Sequence, residues 1–532
     1  MIDRLWFLMP ELIVLGGAVL CAILGVSRKV GVRNLLPVFA GWTLIIAGVV
    51  AWLFVYVPST ELAAVATEVP LPWLGRWVVI MSAVVGLMLV FVQAGLVDRV
   101  YEAAVAAGRV AFDPLRTTRG EYWVFFLLSV GGLMLTSGAS DLVWLFLALE
   151  LTSLPTYVMV AIGRVDRRSQ EAGMKYFFLG ALASAVFLYG FAMLYGATGT
   201  MSLVDIRTVL AEQVAETGSM NPLATIGLMV AVLGIAFKLA AAPLHLYAAD
   251  VYEGAAAPVT AFLGFVPKAA GVIALMLLLS VTGWQEDGQL PQVLVILLWV
   301  MAVLTMTLGN IGALLQTRIK RMLAYSSIAH SGYLLIGILA GPGAGYTAVL
   351  IYLVAYGLSN TATFSVLAGL RRSGQEVEFL DDLAGLRERH PIMAWGMAIS
   401  AGSLLGFPPL LGFWAKLLLF MAGIASGQLV LVIIAGVNSA ISAWYYLKIM
   451  AIPLVGTPKS DAASIERVDV PGARFALVLI SGALLVMPVA LSDMIADAEA
   501  ALREPDKMQT VDEDSGHAGG SAIKQEQPSL QS

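Results

Sequence analysis

The segment GIAFKLAAAPLHLY, from Gly234 to Tyr247, places a lysine, a proline and a histidine within an otherwise apolar stretch. Lys238, Pro243 and His245 lie within eight residues of one another. The whole chain is strongly apolar, since 59% of its 532 residues are hydrophobic and 13% are charged, whereas an average soluble domain has roughly 45–50% apolar and about 25% charged residues. The segment therefore predicts a polar, interrupted helix inside a membrane.

Apolar runs of a length suited to membrane helices recur along the chain, since a helix needs about 20 residues to cross a hydrocarbon core of about 30 Å. They lack the alternation of a membrane barrel. The sequence predicts an all-α polytopic membrane protein with about 14 transmembrane helices. The predicted spans are 5–26, 35–57, 77–97, 121–138, 140–163, 172–196, 222–242, 258–281, 291–315, 322–341, 344–370, 391–424, 428–452 and 473–495. The twelfth is expected to bend at GFPPLLGF, residues 406–413.

Basic residues are concentrated in alternate loops, which predicts the orientation of the chain. The rich loops contain Arg28, Lys29, Arg33, Arg99, Arg109, Arg116, Arg119, Arg164, Arg167, Arg168, Arg318, Lys320, Arg321, Arg371, Arg372, Arg387, Arg389, Lys459 and Arg467. The other loops contain Arg76 and Arg207. Because basic loops stay in the cytoplasm, both termini are expected on the outer side.

A short set of ionisable residues remains inside the predicted spans. They are Glu11, Glu150, Lys175, Lys238, Lys268, Lys416, Lys448, His245 and His330. A cation at mid-bilayer costs about 2.5–3.5 kcal/mol on insertion scales, so each deep one needs an explanation. Glu11, Lys175 and Lys448 lie within about two turns of a span end, where snorkelling to the headgroups is the favoured explanation.

The deeper charged residues lie close to prolines, at which helices break. The pairs are Glu150 with Pro155, Lys238 with Pro243, Lys268 with Pro267 and Lys416 with Pro409. Broken helices at membrane depth are tolerated within protein or against a wet cavity. One deep carboxylate faces three deep lysines, so at most one lysine can pair fully. This imbalance favours a proton path over the alternative, a static salt bridge in the core.

Two segments with a proline break and a lysine, Leu233–Tyr247 and Leu404–Leu418, lie five spans apart. Because an odd offset reverses the direction of a helix, the pattern predicts two inverted five-helix repeats with discontinuous helices 7 and 12. The predicted segments are a three-helix region with a cytoplasmic loop (1–120), the two repeats (121–281 and 291–452), a last transmembrane helix (473–495) and a disordered polar tail (499–532).

Five motifs resemble one membrane-protein family. They are LALELTSLPTYVM (147–159), EAGMKYFFLGALASA (171–185), FKLAAAPLHLYAADVYEGAAAPVTAFLGFVPKAAG (237–271), RIKRMLAYSSIAHSGYLLIG (318–337) and GFPPLLGFWAK (406–416). They resemble the antiporter-like, proton-translocating subunits of NADH-quinone oxidoreductase (respiratory complex I), and among them the subunit N family. The VYEGA motif and the lysine at 416 favour subunit N over subunit M. The resemblance implies two inverted repeats and a chain of buried charges.

The resemblance also implies roles in proton translocation. Glu150 resembles the glutamate whose charge controls the nearby lysine, Lys238, in the inner half channel. Lys268 resembles the central relay lysine, and Lys416 the residue of the outlet half. Two histidines, His245 and His330, match positions that bridge lysines through water, and Lys175 matches another charged position near the helix of the glutamate.

No cofactor and no metal are expected in this chain, because its sequence contains no flavin, nucleotide or cluster motif. Cys21 is its one cysteine and cannot by itself hold an iron–sulfur cluster. The resemblance implies that NADH, FMN, iron–sulfur clusters and quinone belong to partner subunits. Expected partners are the other membrane subunits of complex I, including a sister antiporter-like subunit, together with the lipid bilayer and protons but no nucleic acid. The expected location is the bacterial inner (plasma) membrane, with multiple passes.

Three other functions remain as alternatives at the level of sequence. A subunit of a multisubunit Na⁺/H⁺ antiporter, or of a related hydrogenase-linked ion pump, would use the same fold. A membrane scaffold would contain the same charges without transport. A carrier of organic solutes is disfavoured, because no cluster of several polar side chains indicates a pocket near the middle of the membrane.

Overall fold

The computed structural model describes residues 6–27, 29–55, 69–71, 73–94, 104–105, 107–110, 119–164, 166–284, 290–372, 375–457, 465–467 and 471–502. The region before the repeats contains α1 (Met9–Gly25), α2 (Val30–Asn34), α3 (Leu36–Val50) with a π-helical turn (Ala51–Val55), and α4 (Leu74–Gln93). The loop predicted between 97 and 120 and the tail from 503 onward lie mostly or wholly outside the described residues.

The first repeat begins after this region. It comprises α5 (Arg119–Ser137), α6 (Leu142–Ile162), α7 (Arg167–Thr198), α8 (Leu203–Thr217), α9 (Pro222–Ala236), α10 (Tyr247–Gly254) and α11 (Ala257–Ser280). The short helix α8 connects two spans and was not predicted. It begins at a serine N-cap, because the Ser202 hydroxyl accepts a hydrogen bond from the Asp205 N–H.

The second repeat has the same order of long and interrupted helices. It comprises α12 (Gln292–Leu314), α13 (Ile319–Ala340), α14 (Ala344–Ala368), α15 (Leu386–Arg389), α16 (Pro391–Leu405), α17 (Leu411–Ala425) and α18 (Leu429–Val455). The last span is α19 (Pro471–Val486), a 3₁₀ turn (Met487–Ala490) and α20 (Leu491–Ala501). It extends past the predicted end at residue 495 and past the predicted start of the polar tail.

A small sheet, also unpredicted, lies at one membrane face. It comprises β1 (Leu370–Arg372), β2 (Gln375–Glu376) and β3 (Ile465–Arg467), in the order β2-β1-β3 with antiparallel pairing. A 3₁₀ turn (Leu380–Leu383) follows the β1–β2 hairpin. The sheet joins the loop after α14 to the loop after α18, so both are held close to the membrane.

The described helices agree with the predicted count of spans. Eleven are long and apolar enough to cross a membrane, and four shorter apolar helices remain, namely α1, α9, α16 and α17. Together, α9 and α10 form the seventh span and α16 and α17 the twelfth, so with α1 the total is the predicted fourteen. The two interrupted spans are five crossings apart and therefore run in opposite directions.

Close helix contacts position the interrupted spans in both repeats. A Cβ atom at Gly190 of α7 would lie 2.5 Å from the Ala231 backbone nitrogen of α9. In the second repeat, a Cβ atom at Gly309 of α12 would lie 2.5 Å from the Ala329 nitrogen of α13. Such contacts between small residues are how membrane helices pack closely, and they hold the polar segments of neighbouring helices in register.

Two expectations about individual residues are corrected by the fold. Glu11 does not snorkel, because it is 2% exposed and packs between α1 and its neighbours. Pro155 and Pro267 do not break their helices, since α6 and α11 continue through them. In α6, Ser153 and Thr156 hydroxyls donate to carbonyls of the same helix around the proline, the kind of local adjustment that lets proline remain in a membrane helix.

Candidate functional site: a buried polar chain

The first break places Lys238 against the deep carboxylate. The Lys238 ammonium lies 3.2 Å from the Glu150 Oε1 atom of α6 and donates to the Ser153 Oγ atom at 2.6 Å. On α7, the Ser184 hydroxyl donates to the same carboxylate oxygen at 2.5 Å. The side chains of Lys238 and Glu150 are 2% and 15% exposed. One lysine is therefore paired with the one deep carboxylate, as the residue count predicted.

Hydroxyl groups from the second repeat satisfy the backbone that this break exposes. The Ala242 N–H donates to the Thr305 Oγ1 atom of α12 at 2.9 Å, and the Ser331 hydroxyl of α13 donates to the Leu239 carbonyl at 2.5 Å. Ala240 has a φ of 53°, a left-handed conformation that costs energy for a residue with a Cβ atom. The contacts with α12 and α13 hold this conformation and link the two repeats.

Lys268 lies in the middle of α11 without a carboxylate partner. Its ammonium donates to the Ser327 carbonyl at 2.5 Å and to the Ser327 Oγ atom at 2.7 Å. It also lies 4.6 Å from the centroid of the Tyr356 ring. Within the part of the chain that the structure describes, no ion pair involves Lys268. Neutral oxygens and the face of an aromatic ring therefore surround the Lys268 ammonium. They stabilise a charge less than the carboxylate beside Lys238 does.

A small cavity separates the first two lysines. Its volume is about 10 Å³, and Lys238, Lys268, Tyr176, Tyr247 and Tyr252 are among the residues that line it. A cavity needs on the order of 10–15 Å³ to accommodate one water molecule. A single water in this space would have both ammonium groups and phenolic oxygens as potential hydrogen-bond partners.

His330 of α13 continues the chain beyond Lys268. Its Nδ1 atom lies 2.5 Å from the Tyr352 hydroxyl and its Nε2 atom lies 2.8 Å from the Tyr446 hydroxyl. The His330 ring is centred 4.9 Å from the Tyr356 ring, the same ring that contacts Lys268. Because each ring nitrogen has a hydroxyl partner that can donate or accept, the imidazole can change tautomer without losing both bonds.

A second small cavity, also of about 10 Å³, extends from His330 to the second helix break. Its lining includes Ser359, Ser403 and Leu404. At the break, the Gly412 N–H donates to the Ser403 Oγ atom at 3.2 Å, and this hydroxyl accepts from the Ser359 hydroxyl at 2.8 Å. The polar groups therefore continue from His330 to the end of α16.

Lys416 lies just beyond this break, in α17. Its ammonium donates to the Leu405 carbonyl at the end of α16 at 2.7 Å and to the Ser439 Oγ atom at 3.1 Å. It also lies 5.0 Å from the centroid of the Tyr333 ring. A cation at the C-terminal carbonyls of a half-helix is favoured by the helix dipole. The break therefore provides the electrostatic partner that Lys416 lacks among carboxylates of the described chain.

Two predicted site residues lie apart from this chain. His245 is 8% exposed, and its buried Nδ1 atom has no hydrogen-bond partner among the described residues. Lys175 is 45% exposed in the third turn of α7 and forms ion pairs with Glu171 at 2.8 Å and Asp250 at 3.1 Å. The structure brings neither into contact with a buried lysine, and their proposed roles stay predictions.

Sequence reasoning did not include the hydroxyl groups of the chain. They belong to Ser153, Ser184, Ser327, Ser403, Ser439, Tyr352, Tyr356 and Tyr446. Tyr352 and Tyr356 are four residues apart in an apolar helix, which places both on one face. That spacing is a signal that would have identified them.

Broken helices and a buried series of basic groups define an antiporter-like membrane protein that translocates ions. A family model described as "NADH:quinone oxidoreductase/Mrp antiporter, TM" matches residues 139–442. Proteins named NADH-quinone oxidoreductase subunit N are similar to the chain. The one from Trichlorobacter lovleyi is 40% identical over 69% of this chain and 74% of its own length, and the one from Halorhodospira halophila is 39% identical over 72% and 78%. The chain therefore belongs to the subunit N family of NADH-quinone oxidoreductases.

Solved structures have the same fold. A chain of respiratory complex I from Thermus thermophilus with bound aureothin is 28% identical, with a TM-score of 0.71 over 92% of this chain and 98% of that one. A chain of the Mrp complex from Dietzia sp. DQ12-45-1b is 20% identical, with a TM-score of 0.74 over 96% and 99%. At that identity the second likeness concerns the fold alone.

Proposed function

We propose that this chain is a proton-translocating membrane subunit of NADH-quinone oxidoreductase, in which protons pass along the buried chain from Lys238 through Lys268 and His330 to Lys416. The observation that carries the proposal is the series of basic groups and hydroxyls, separated by small cavities, that lies between the two helix breaks. Oxidation of NADH and reduction of quinone, with the cofactors they need, take place in other subunits of the complex.

Glu150 is the proposed control element of the chain. At 3.2 Å from the Lys238 ammonium, a unit charge contributes roughly 5 kcal/mol of Coulomb energy at an effective dielectric constant of about 20. Since 1.4 kcal/mol changes a binding constant tenfold, gain or loss of this charge changes proton binding by Lys238 by roughly 4000-fold. A displacement of Glu150 driven by a neighbouring subunit would therefore load or unload the first lysine.

Single replacements in inverted membrane vesicles test this proposal. Glu150→Gln, Lys238→Met and Lys268→Met should each abolish most NADH-driven proton uptake per NADH oxidised. Glu150→Gln removes the charge that loads Lys238, and each lysine replacement removes a transfer group, which slows its step by on the order of 100-fold. Lys448→Met is the matched control, since Lys448 is exposed and lies 4.9 Å from the Trp444 ring. Native gels establish that each complex assembles. Normal uptake in all three variants of assembled complexes would refute the proposal.

The alternative function is Na⁺/H⁺ exchange in a multisubunit antiporter. The shared fold of the Mrp chain supports it, whereas relatives named subunit N at about 40% identity support the main proposal. Proton uptake that requires NADH and is unchanged when potassium replaces sodium would exclude the alternative. Exchange of Na⁺ for H⁺ without NADH would instead support it.

A further inference from the structure

A second candidate site lies outside the buried chain, between α4, the π-helical turn after α3, and α20. It is a groove of about 260 Å³. We call it the tryptophan groove, after its lining residues Trp52, Trp73 and Trp77. Arg76 and Asp497 also line it, and so do methionine and valine side chains. The groove therefore combines a large apolar surface with one cation and one carboxylate.

Two tryptophans that line the groove have indole N–H donors without an acceptor among the described residues. The indole Nε1 atoms of Trp73 and Trp77 are buried and unpartnered within the described chain. A buried N–H group without a partner costs about 1–3 kcal/mol in general, so such pairs usually indicate a missing acceptor. Arg76 lies between them in sequence and contacts the Trp52 ring at 4.8 Å, and no ion pair of Arg76 occurs among the described residues. These three side chains together suit an anionic oxygen-rich group.

The dimensions of the groove match one leaflet of a bilayer. Along α4 its lining runs from Arg76, in the first turn, to Val85. Nine residues of helix correspond to about 13 Å, and half of a hydrocarbon core of about 30 Å is about 15 Å. Val354, ten residues into α14, lines its inner part. The polar groups lie at the membrane face and the apolar lining extends inward, the same order as the headgroup and acyl chains of a lipid.

We propose that the tryptophan groove binds one phospholipid with a phosphoethanolamine headgroup. Its phosphate accepts hydrogen bonds from the Arg76 guanidinium, and its ammonium group lies against Asp497. Because the indole N–H groups of Trp73 and Trp77 are buried in the lipid-free chain, they donate to the phosphate after their rings turn toward it on binding. Its acyl chains lie along the methionine and valine lining. A guanidinium paired with phosphate is a strong, charge-assisted contact, and the carboxylate gives the ethanolamine group an advantage over an anionic glycerol headgroup.

Photo-crosslinking in the assembled complex tests this site. The purified complex is reconstituted in vesicles that contain phosphatidylethanolamine or phosphatidylglycerol with a diazirine in one acyl chain, and adducts are located by peptide mass spectrometry. The ethanolamine probe should label the segments around Met81 and Met494 at least tenfold more than the glycerol probe. Labelling of these segments should fall at least tenfold in Arg76→Gln, and Asp497→Asn should remove the difference between the probes.

Two further variants control for loss of assembly and for labelling that does not depend on the groove. Trp77→Phe keeps an aromatic ring in place and removes one donor, so it should reduce labelling without loss of assembly. Arg207→Gln is the matched control, because Arg207 lies on the same predicted side of the membrane but outside the groove, and labelling should be unchanged. Equal labelling by both probes, or equal labelling in Arg76→Gln and Arg207→Gln, would overturn the proposal, since the groove would then bind lipid no differently from the rest of the surface.

Discussion

At the scale of single residues, the three deep lysines share a chemical type but differ in their partners. Lys238 has a carboxylate, Lys268 has a serine and an aromatic ring, and Lys416 has a helix-end carbonyl. A carboxylate holds a proton on its lysine more strongly than neutral oxygens do. The pairing therefore makes Lys238 the site where a change in partner charge has the largest effect.

The hydroxyl of Ser327 is predicted to be essential for transfer from Lys268. It accepts from the lysine at 2.7 Å and from the Tyr356 hydroxyl at 2.8 Å. A hydrogen bond to a charged group contributes about 1.5–3 kcal/mol, so Ser327→Ala should lower NADH-driven proton uptake by about tenfold. Ser280→Ala is the control, because the Ser280 hydroxyl donates only within its own helix, to the Leu277 carbonyl at 2.7 Å. Equal uptake in both variants would contradict the prediction.

At the scale of elements, the β1–β2 hairpin anchors the helices of both repeats at one membrane face. Glu376 of β2 accepts from the Lys320 ammonium of α13 at 2.9 Å and from the Ala257 N–H at the start of α11 at 3.1 Å. Arg164, after α6, lies 3.3 Å from the same carboxylate. One carboxylate in a loop therefore connects three spans, a role that its position in a charged loop did not indicate.

Burial raises the pKa of Glu376, but the charges of Lys320, Arg164 and Arg371 together outweigh burial and hold that pKa below its ordinary value. A folded-state pKa below the unfolded one adds stability above the unfolded value of about 4.3, and this stability is lost as the pH falls through the folded-state pKa.

Glu376→Gln should therefore lower the melting temperature of the purified complex at pH 7, because removal of one partner leaves Lys320 buried and unpaired, at a cost of about 3 kcal/mol. The difference from wild type should narrow as the pH is lowered toward 4. Glu388→Gln is the control on the exposed helix α15, with little effect expected. A difference in melting temperature that grows at low pH would show that the pKa of Glu376 is not lowered in the folded protein.

At the scale of the whole molecule, the polar chain runs sideways through the two repeats. It starts at the seventh span, crosses α11 and α13, and ends at the twelfth span. The hydroxyls of Thr305 and Ser331 from the second repeat complete the break in the first. The two repeats are therefore joined directly at the first break by hydrogen bonds.

The orientation of the molecule is predicted by its basic loops and can be measured with cysteine labelling. Cys21 is the one cysteine of the sequence and is buried, so Cys21→Ala leaves this chain without thiols, and labelling is read on this chain after the subunits are separated. In that background, Ser219→Cys should react with a membrane-impermeant maleimide from the outer side. Glu388→Cys should react in inverted vesicles, since both positions are exposed. The opposite pattern would reverse the predicted topology.

Much of the site could be predicted because burying a charge in lipid is costly wherever it occurs. Lys238, Lys268, Lys416 and Glu150 are conspicuous in apolar spans, and a proline near each marked the region. The hydroxyl partners were not predicted, since Ser327 and Tyr356 are ordinary residues for a membrane helix and gain meaning from the lysine they contact. Glu11 was assigned by its distance from a span end, which does not report packing by neighbouring helices.

The sequence alone determined the all-helical membrane fold, the number of spans, the two interruptions and the deep charges. Each of these follows from local properties, such as run length, proline and the cost of an isolated charge. Only the tertiary structure decided which oxygen each lysine contacts, that α6 and α11 continue through their prolines, and that Glu376 joins three spans. These features depend on groups far apart in sequence, whose approach is set by helix packing and not by local composition.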